Sequence, residues 1–267
     1  MCLLYLLNMM TTNFKHFTST LLLASICVLF THCKEDEPEV VKDIPRDGLV
    51  AFYPFNGNAK DASGNNLDGT VTGCALTTDR FGNSGRAYAF DGDGDYIDMG
   101  NPELLQISDR ITIAGWFSAN QLAASKSIVT KIFFDPEQGY NPTRGYRIGQ
   151  GVTGGGKPYA VANVYSTEGL TISHYLGNEL EADTWTFFAL TIHNKDFKYY
   201  HNGELVDEQT IGGDVNILND GTLGNLVIGA YNGGFVFDGK IDDITIYNRA
   251  LSAEEVMQLY EQTVSNK

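Results

Sequence analysis

Short hydrophobic runs recur along the chain from Gly48 onward, and apolar and polar residues alternate within most of them. Alternation with a period of two is typical of β-strands, and Gly, Asn and Asp separate the runs as turn residues do. Regular examples are RITIAGWF (110–117), WTFFALTIH (185–193) and NLVIGAY (225–231). The pattern predicts an all-β domain of many short strands, either a sandwich or a barrel.

The run ITIAGWF (111–117) is largely apolar on both of its faces, which predicts a central strand of a sheet. Its odd-numbered residues would face one side, and Thr112, Ala114 and Trp116 the other. We interpret Trp116 and Trp185 as core residues rather than as platforms for sugar rings, because large aromatic side chains dominate core energetics.

Two local signals mark a hairpin and a helix. In KYYHNGELV (198–206), Asn202-Gly203 supplies the two positive-φ residues of a type I′ turn. Near the C-terminus, Ser252 and Glu255 form a capping box, and an apolar stripe of Val256, Leu259 and Tyr260 follows it. We therefore expect one short C-terminal helix that packs on the sandwich.

An apolar run at residues 21–30, LLLASICVLF, ends just before Cys33 and the acidic stretch KEDEPE (34–39). A run of about 10 residues is too short to cross a bilayer, so it predicts a cleaved export signal. A cysteine at this boundary is similar to the lipidation site of bacterial lipoproteins, which implies a signal peptide over residues 1–32 and a lipid on Cys33. Cleavage at Cys27 and an uncleaved signal anchor are the alternatives.

The acidic residues after Cys33 resemble the surface-export tag of lipoproteins in some Gram-negative groups. The resemblance implies an exported protein that is lipid-anchored to the outer membrane and faces outward. Residues 33–46 would form an acidic, flexible linker, residues 47–262 a single domain and residues 263–267 a tail.

The net charge of −15 excludes nucleic acid as a partner and restricts membrane contact to the lipid anchor, because the surface repels anionic polymers and lipids. We expect a monomer. Cys2, Cys27 and Cys33 belong to the signal and the anchor, so Cys74 is left without an intramolecular partner. The domain must fold without disulfides, and its length is ample for a core of its own.

Five segments in order resemble the laminin-G-like jelly rolls of the concanavalin A-like lectin/glucanase superfamily. They are GLVAFYPFNGNAKDASGNNLDG (48–69), FGNSGRAYAFDGDGDYIDMG (81–100), ITIAGWF (111–117), DTWTFFALTIHNKDFKYYHNGELV (183–206) and GKIDDITIYNRALSAEEV (239–256). The resemblance implies a concanavalin A-like jelly-roll sandwich of two antiparallel sheets, with rim loops that often bind carbohydrate.

The N-terminal loop FNGNAKDASGNN (55–66) is rich in the hard oxygen ligands that calcium prefers, with Asn56 and Asp61 among them. The resemblance implies a structural calcium ion between this loop and the last strand, held by Asp61, Asp242 and Asp243, and Asn56 of the loop is a further candidate ligand. A turn whose Asn and Asp side chains bond their own backbone is the alternative. Asp242 and Asp243 stand between two isoleucines, so we expect a compensating cation beside them.

A second acidic segment, DGDGDYID (91–98), places acids at alternate positions as an EF-hand does. Its sixth position is Tyr96 rather than Gly, and its twelfth is Pro102 rather than Glu. We therefore predict a hairpin turn that leads into the strand YIDM, with Asp95 as a secondary calcium candidate.

The only candidate for paired catalytic carboxylates is the run Glu179-Leu180-Glu181-Ala182-Asp183. Catalytic acids of a glycoside hydrolase project together into a cleft. This run follows Gly177-Asn178 and precedes a strand, which predicts a solvated loop. We therefore expect no enzymatic activity, with a polysaccharide hydrolase or lyase as the alternative.

Aromatic and amide side chains on two Gly-punctuated loops are the candidates for ligand binding. The first loop, residues 134–151, carries Tyr140, Asn141, Arg144 and Tyr146, and the second, YNGGF (231–235), begins with Tyr231. Aromatic faces stack on sugar rings while amides bond hydroxyl groups, although the same residues could simply pack on the sandwich edge. We predict a non-catalytic, surface-exposed lipoprotein that binds a glycan or an extracellular protein ligand, with a structural or adhesive module as a further alternative.

Overall fold

The computed structural model describes residues 43–108, 110–122, 124–134, 142–165, 171–210, 224–230 and 235–265, without the side chains of residues 133–134, 142–144, 171–176 and 264–265. The strands among these residues are β1 (Leu49–Tyr53), β2 (Thr70–Thr72), β3 (Ala75–Thr77), β4 (Ala87–Asp91), β5 (Tyr96–Asp98), β6 (Arg110–Ala119), β7 (Lys126–Phe134), β8 (Pro142–Val152), β9 (Pro158–Tyr165), β10 (Thr171–Leu176), β11 (Thr186–His193), β12 (Asp196–His201), β13 (Glu204–Thr210), β14 (Val227–Ile228) and β15 (Asp238–Tyr247). A 3-10 turn spans Glu103–Leu105, and helix α1 spans Ala253–Ser265.

The strands form two antiparallel sheets. Sheet A has the order β13, β12, β11, β6, β15, β4 and β3, and β1 pairs with β15 as its eighth strand. Sheet B has the order β10, β9, β8, β7, β14, β5 and β2. The all-β prediction of two antiparallel sheets with one C-terminal helix is thus confirmed.

Strand alternation directs one face of each sheet into a shared core. In β6, Ile111, Ile113 and Phe117 belong to the main hydrophobic cluster, together with Tyr146 and Ile148 of sheet B. Ala114 and Trp116 of β6 belong to a second cluster on the outer face of sheet A. The prediction of a central strand with two apolar faces is therefore confirmed, since β6 lies between β11 and β15.

The second cluster forms where α1 packs on the outer face of sheet A. Trp116 is buried there and stacks on Tyr260 with a centroid distance of 5.6 Å, and its indole Nε1 donates to Thr263 Oγ1 at 2.9 Å. The capping box is present as predicted: Ser252 N donates to Glu255 Oε2 at 2.9 Å, and Glu255 N donates to Ser252 Oγ at 3.3 Å.

Strand β15 changes its partner on one edge at Asp242-Asp243. Residues 238–241 pair with β4, whereas residues 244–247 pair with β1. The register with β6 is irregular over the same two acids, and Asp243 adopts a left-handed φ of 49°. The bulge thus lies where one neighbouring strand ends and the next begins.

The structure differs from the sequence-based expectation at three places. Ile44 is buried in the cluster under α1, so the packed domain begins before Asp47. Helix α1 reaches Ser265, and Thr263 is buried, so residues 263–265 are not a tail. The segment after Asp91 is not a hairpin turn, because β4 belongs to sheet A and β5 to sheet B, and the turn connects the two sheets.

The predicted Asn202-Gly203 hairpin is confirmed. Both residues have positive φ angles, 52° and 82°, and His201 pairs with Glu204 across the turn. Among the described residues, no helix is long and apolar enough to cross a membrane. Cys33 and the predicted signal lie outside the described residues.

Candidate functional site

The outer face of sheet B is the sandwich face that α1 leaves uncovered. The register places Thr130, Arg147 and Asn163 side by side on β7, β8 and β9. One residue further along, Val129, Ile148 and Ala162 are side by side in the main core. Because successive side chains of a strand point to opposite faces, the three polar residues face outward.

Arg147 is the centre of this polar surface. Its guanidinium donates to Ser127 Oγ at 2.7 Å, to Asn163 Oδ1 at 2.8 Å and to the carbonyl oxygen of Lys126 at 2.8 Å. The side chain runs close to Gly149, where an added Cβ would lie 3.2 Å from Nη2. Arg147 is only 7% exposed, so its planar fork is fixed in one orientation.

Phe235 covers part of the guanidinium. The ring centroid lies 5.2 Å from Arg147 Cζ, and the Phe235 carbonyl accepts a hydrogen bond from Ser127 N at 2.7 Å. Phe235 remains 49% exposed and has a φ of 53°, in the left-handed region. A bulky residue in that region is strained, and strain of this kind concentrates at binding sites.

Two further groups complete the surface. Thr130 Oγ1 is buried and has no hydrogen-bond partner among the described residues. Tyr165 lies two residues after Asn163 on the same face and is half-buried; burial raises the pKa of its hydroxyl, and the Arg147 charge lowers it in part. We call Ser127, Thr130, Arg147, Asn163, Tyr165 and Phe235 the Arg147 face.

The Arg147 face joins fixed polar groups to an exposed aromatic ring. Guanidinium and amide groups bond hydroxyl oxygens, and an aromatic ring packs against the C–H surface of a sugar. A few convergent polar groups beside an apolar contact are the usual composition of small-molecule sites. The arrangement can hold a polar ring compound.

The structure places only part of the predicted ligand set. Tyr140, Asn141 and Tyr231 lie outside the described residues, and Arg144 lies on β8 with its side chain undescribed. The prediction of Tyr146 as an exposed loop residue was wrong: it lies within β8 and is 1% exposed in the core. Burial raises the pKa of its hydroxyl far above the ordinary value.

The residues that were predicted to bind calcium form hydrogen bonds or ion pairs with other protein groups. The carboxylate of Asp61 accepts from Phe52 N at 3.0 Å, Ser63 N at 2.8 Å and Leu67 N at 3.1 Å. Burial alone would raise the pKa of Asp61, but these hydrogen bonds outweigh it and leave the pKa below its ordinary value. Asn56 lies on the exposed surface, where its Oδ1 accepts from Arg86 Nη1 at 3.0 Å.

Arg80 supplies the cation that we expected beside Asp242 and Asp243. Its Nη1 lies 2.9 Å from Asp242 Oδ2, and its Nη2 lies 2.7 Å from Asp243 Oδ2. Within the described part of the chain, no three His, Cys, Asp or Glu side chains form a group that could hold a metal ion. In the described structure, Asp61 thus accepts hydrogen bonds from the backbone, and Asp242 and Asp243 pair with Arg80.

The remaining acidic candidates occupy turns. Glu179, Glu181 and Asp183 are exposed on the connection from β10 to β11, as the sequence predicts, and Glu179 pairs with Lys157 at 3.0 Å. Asp95 is buried, and its carboxylate accepts from Asp91 N at 2.9 Å.

Several solved structures share the fold. Domain 4 of AbnA, a GH43 extracellular arabinanase from Geobacillus stearothermophilus solved with arabinotriose, is 22% identical with a TM-score of 0.60, and the match covers 79% of this chain and 98% of that one. The binding domain of Paraclostridial Mosquitocidal Protein 1 is 19% identical with a TM-score of 0.63, over 82% of this chain and 53% of that one. A structure of botulinum neurotoxin type C, whose cell entry depends on interaction with two ganglioside molecules, is 15% identical with a TM-score of 0.58, over 82% of this chain and 52% of that one.

The chain spans about half the length of the two toxin structures. No curated protein matches it in sequence. A laminin-G-type family model matches residues 91–257, more than half of the chain, and includes strands of both sheets that form the sandwich core. The chain belongs to the Concanavalin A-like lectin/glucanases superfamily.

Proposed function

We propose that the protein is a non-catalytic module that binds a glycan on the Arg147 face. The observation that carries the proposal is the strained, half-exposed Phe235 ring over a guanidinium that neighbouring strands hold in place. Fixed donors and a fixed ring lower the ordering cost of binding, which favours recognition of a weakly binding sugar.

The structural neighbours support a glycan as the ligand class. One neighbour was solved with arabinotriose, and the type C toxin interacts with gangliosides. Because a fold does not fix a function, the proposal that this chain binds a glycan depends on the chemistry of the Arg147 face.

We also propose that the module is a surface lipoprotein anchored through Cys33. The apolar run before Cys33 and the acidic stretch after it support this anchor. Such an anchor would display the domain to polysaccharides outside the cell.

A glycan array probed with the full chain in mild detergent tests the binding function. We expect saturable binding of one glycan class, with the glycan recovered intact. Phe235→Ala should weaken that binding five- to tenfold, since an aromatic contact contributes on the order of 1 kcal/mol.

The matched control is Phe81→Ala. Phe81 is 40% exposed and also lies over an arginine, Arg80, but its segment joins β3 to β4 of sheet A, away from the Arg147 face. Equal losses in both variants would refute the assignment of the Arg147 face. Release of shorter oligosaccharides would instead support the hydrolase or lyase alternative.

A further inference from the structure

Asp242 and Asp243 are the most deeply buried acidic pair among the described residues, 0% and 3% exposed. They lie at the bulge where β15 exchanges β4 for β1, so neither strand continues past them on that edge. Two adjacent buried carboxylates are unstable without a countercharge, because burial removes their hydration. The family resemblance would place a calcium ion close to this position.

Arg80 fills that position with a side chain. Its two terminal nitrogens bond one carboxylate each, and Nη2 also donates to the carbonyl oxygen of Thr263 near the end of α1. The guanidinium carbon lies 4.5 Å from the Trp116 ring centroid and 4.7 Å from that of Phe81. A planar fork suits two carboxylates better than a lysine would.

We propose that the Arg80 guanidinium replaces the structural metal ion of this part of the fold and locks α1 onto sheet A. It connects three separate segments: the β3–β4 connection, the bulge of β15 and the C-terminal turn of α1. The other half of the expected metal site is already satisfied, because Asp61 accepts hydrogen bonds from Phe52 of β1 and from Ser63 of its own loop. The domain therefore packs α1 onto sheet A without a divalent ion, and this packing does not depend on any ligand on the Arg147 face.

Thermal melts of the full chain in detergent, in calcium chloride and in EDTA, test the first half of the proposal. We expect wild type to melt at the same temperature in both. A drop of several degrees in EDTA that calcium restores would overturn the proposal.

Variants of Arg80 and of the two acids test the second half of the proposal, that the guanidinium stabilises this part of the fold. Arg80→Ala should lower the Tm by roughly 10 °C, because it leaves two buried charges uncompensated. Adding Asp242→Asn and Asp243→Asn to that variant should recover most of the loss. The triple variant also keeps the test decisive if Arg80→Ala alone does not fold, because a triple variant that is equally unstable would refute the role of the charges.

Two further measurements test whether the guanidinium group is the stabilising group and whether it holds α1 on sheet A. Methylguanidinium at millimolar concentration should raise the Tm of Arg80→Ala but not that of the triple variant. Hydrogen exchange of residues 253–265 should accelerate in Arg80→Ala relative to the strands of sheet B. Arg249→Ala is the matched control, because Arg249 also pairs with an acid, Glu255 of α1, but is partly exposed, so its removal should change both readouts little.

Discussion

Arg147 and Phe235 lie on two separate segments, and their side chains contact each other. The ring lies 5.2 Å from the guanidinium carbon, and the backbone of Phe235 is tied to β7 through the hydrogen bond from Ser127 N. The same Ser127 accepts a hydrogen bond from Arg147 through its hydroxyl. Serine therefore fixes both partners, and the ring is positioned by backbone contacts rather than by its own burial.

The strained backbone at Phe235 should lower the stability of the fold, whereas the Phe235 ring should strengthen glycan binding. Phe235→Gly and Phe235→Ala both remove the ring and should bind the glycan equally poorly. Glycine tolerates a φ of 53°, so Phe235→Gly should be about 1 kcal/mol more stable than Phe235→Ala. Urea unfolding of the two variants measures the difference. An alanine variant of equal or greater stability would show that this backbone conformation carries no strain.

Trp116 should be a major stabilising residue of the outer cluster. Truncation by Trp116→Ala removes its stacking with Tyr260 and its bond to Thr263, and should cost about 3 to 5 kcal/mol in the free energy of unfolding. Trp185, which is only partly buried against the same cluster, is the control and should cost less. Equal losses in denaturant titrations would contradict the larger contribution of Trp116 to this cluster.

Lys131 predicts a pH dependence of stability. Its Nζ donates to Asn101 Oδ1 and to the carbonyl oxygen of Gly224, and burial lowers the pKa of Lys131 to about 8. The folded pKa lies below the unfolded value of 10.5, so the unfolded chain binds the extra proton between about pH 8 and 10.5. The charged amine therefore costs stability below pH 8, and this cost disappears as the pH rises through that window.

Lys131→Met removes the titrating group and provides the reference. The stability of wild type relative to Lys131→Met should increase by on the order of 1 to 3 kcal/mol from pH 7 to pH 10.5. Unfolding of both proteins at each pH cancels the titration of all other groups. A pH-independent difference would place the pKa of Lys131 at its ordinary value.

Cys33→Ser tests the membrane anchor. Acyl chains contribute about 0.8 kcal/mol per buried methylene, so their loss should move the protein from the membrane pellet to the soluble or unprocessed fraction. Labelling with a clickable fatty acid measures the change, and Cys27→Ser is the control that should keep the label. A label that persists in Cys33→Ser would contradict lipidation at this residue.

Local signals predicted the local structure well. The Asn202-Gly203 turn and the Ser252–Glu255 capping box depend on backbone angles and bonds within a few residues, so the sequence contains all the information they need. The alternation of ITIAGWF likewise predicted two apolar faces, because each face is decided by every second residue.

Contacts between distant segments could not be predicted. Arg80 lies about 160 positions before the acids it neutralises, and its own neighbours indicate only a turn. The Arg147 face requires the register of three strands before Thr130, Arg147 and Asn163 become neighbours. For Tyr146 a signal existed: in GYRIG, alternation places Tyr146 and Ile148 on one side and Arg147 on the other, which is the arrangement found.

The packing of α1 determines on which side of the sandwich the two described ends of the chain lie. Ile44 joins the cluster under the helix, and Gln258 Nε2 donates to the carbonyl oxygen of Asp43 at 2.8 Å, so the first and last described segments meet on sheet A. The Arg147 face belongs to the opposite sheet. A purification tag or a sensor surface that is attached next to Asp43 or Ser265 would therefore lie on the side of sheet A, opposite the Arg147 face.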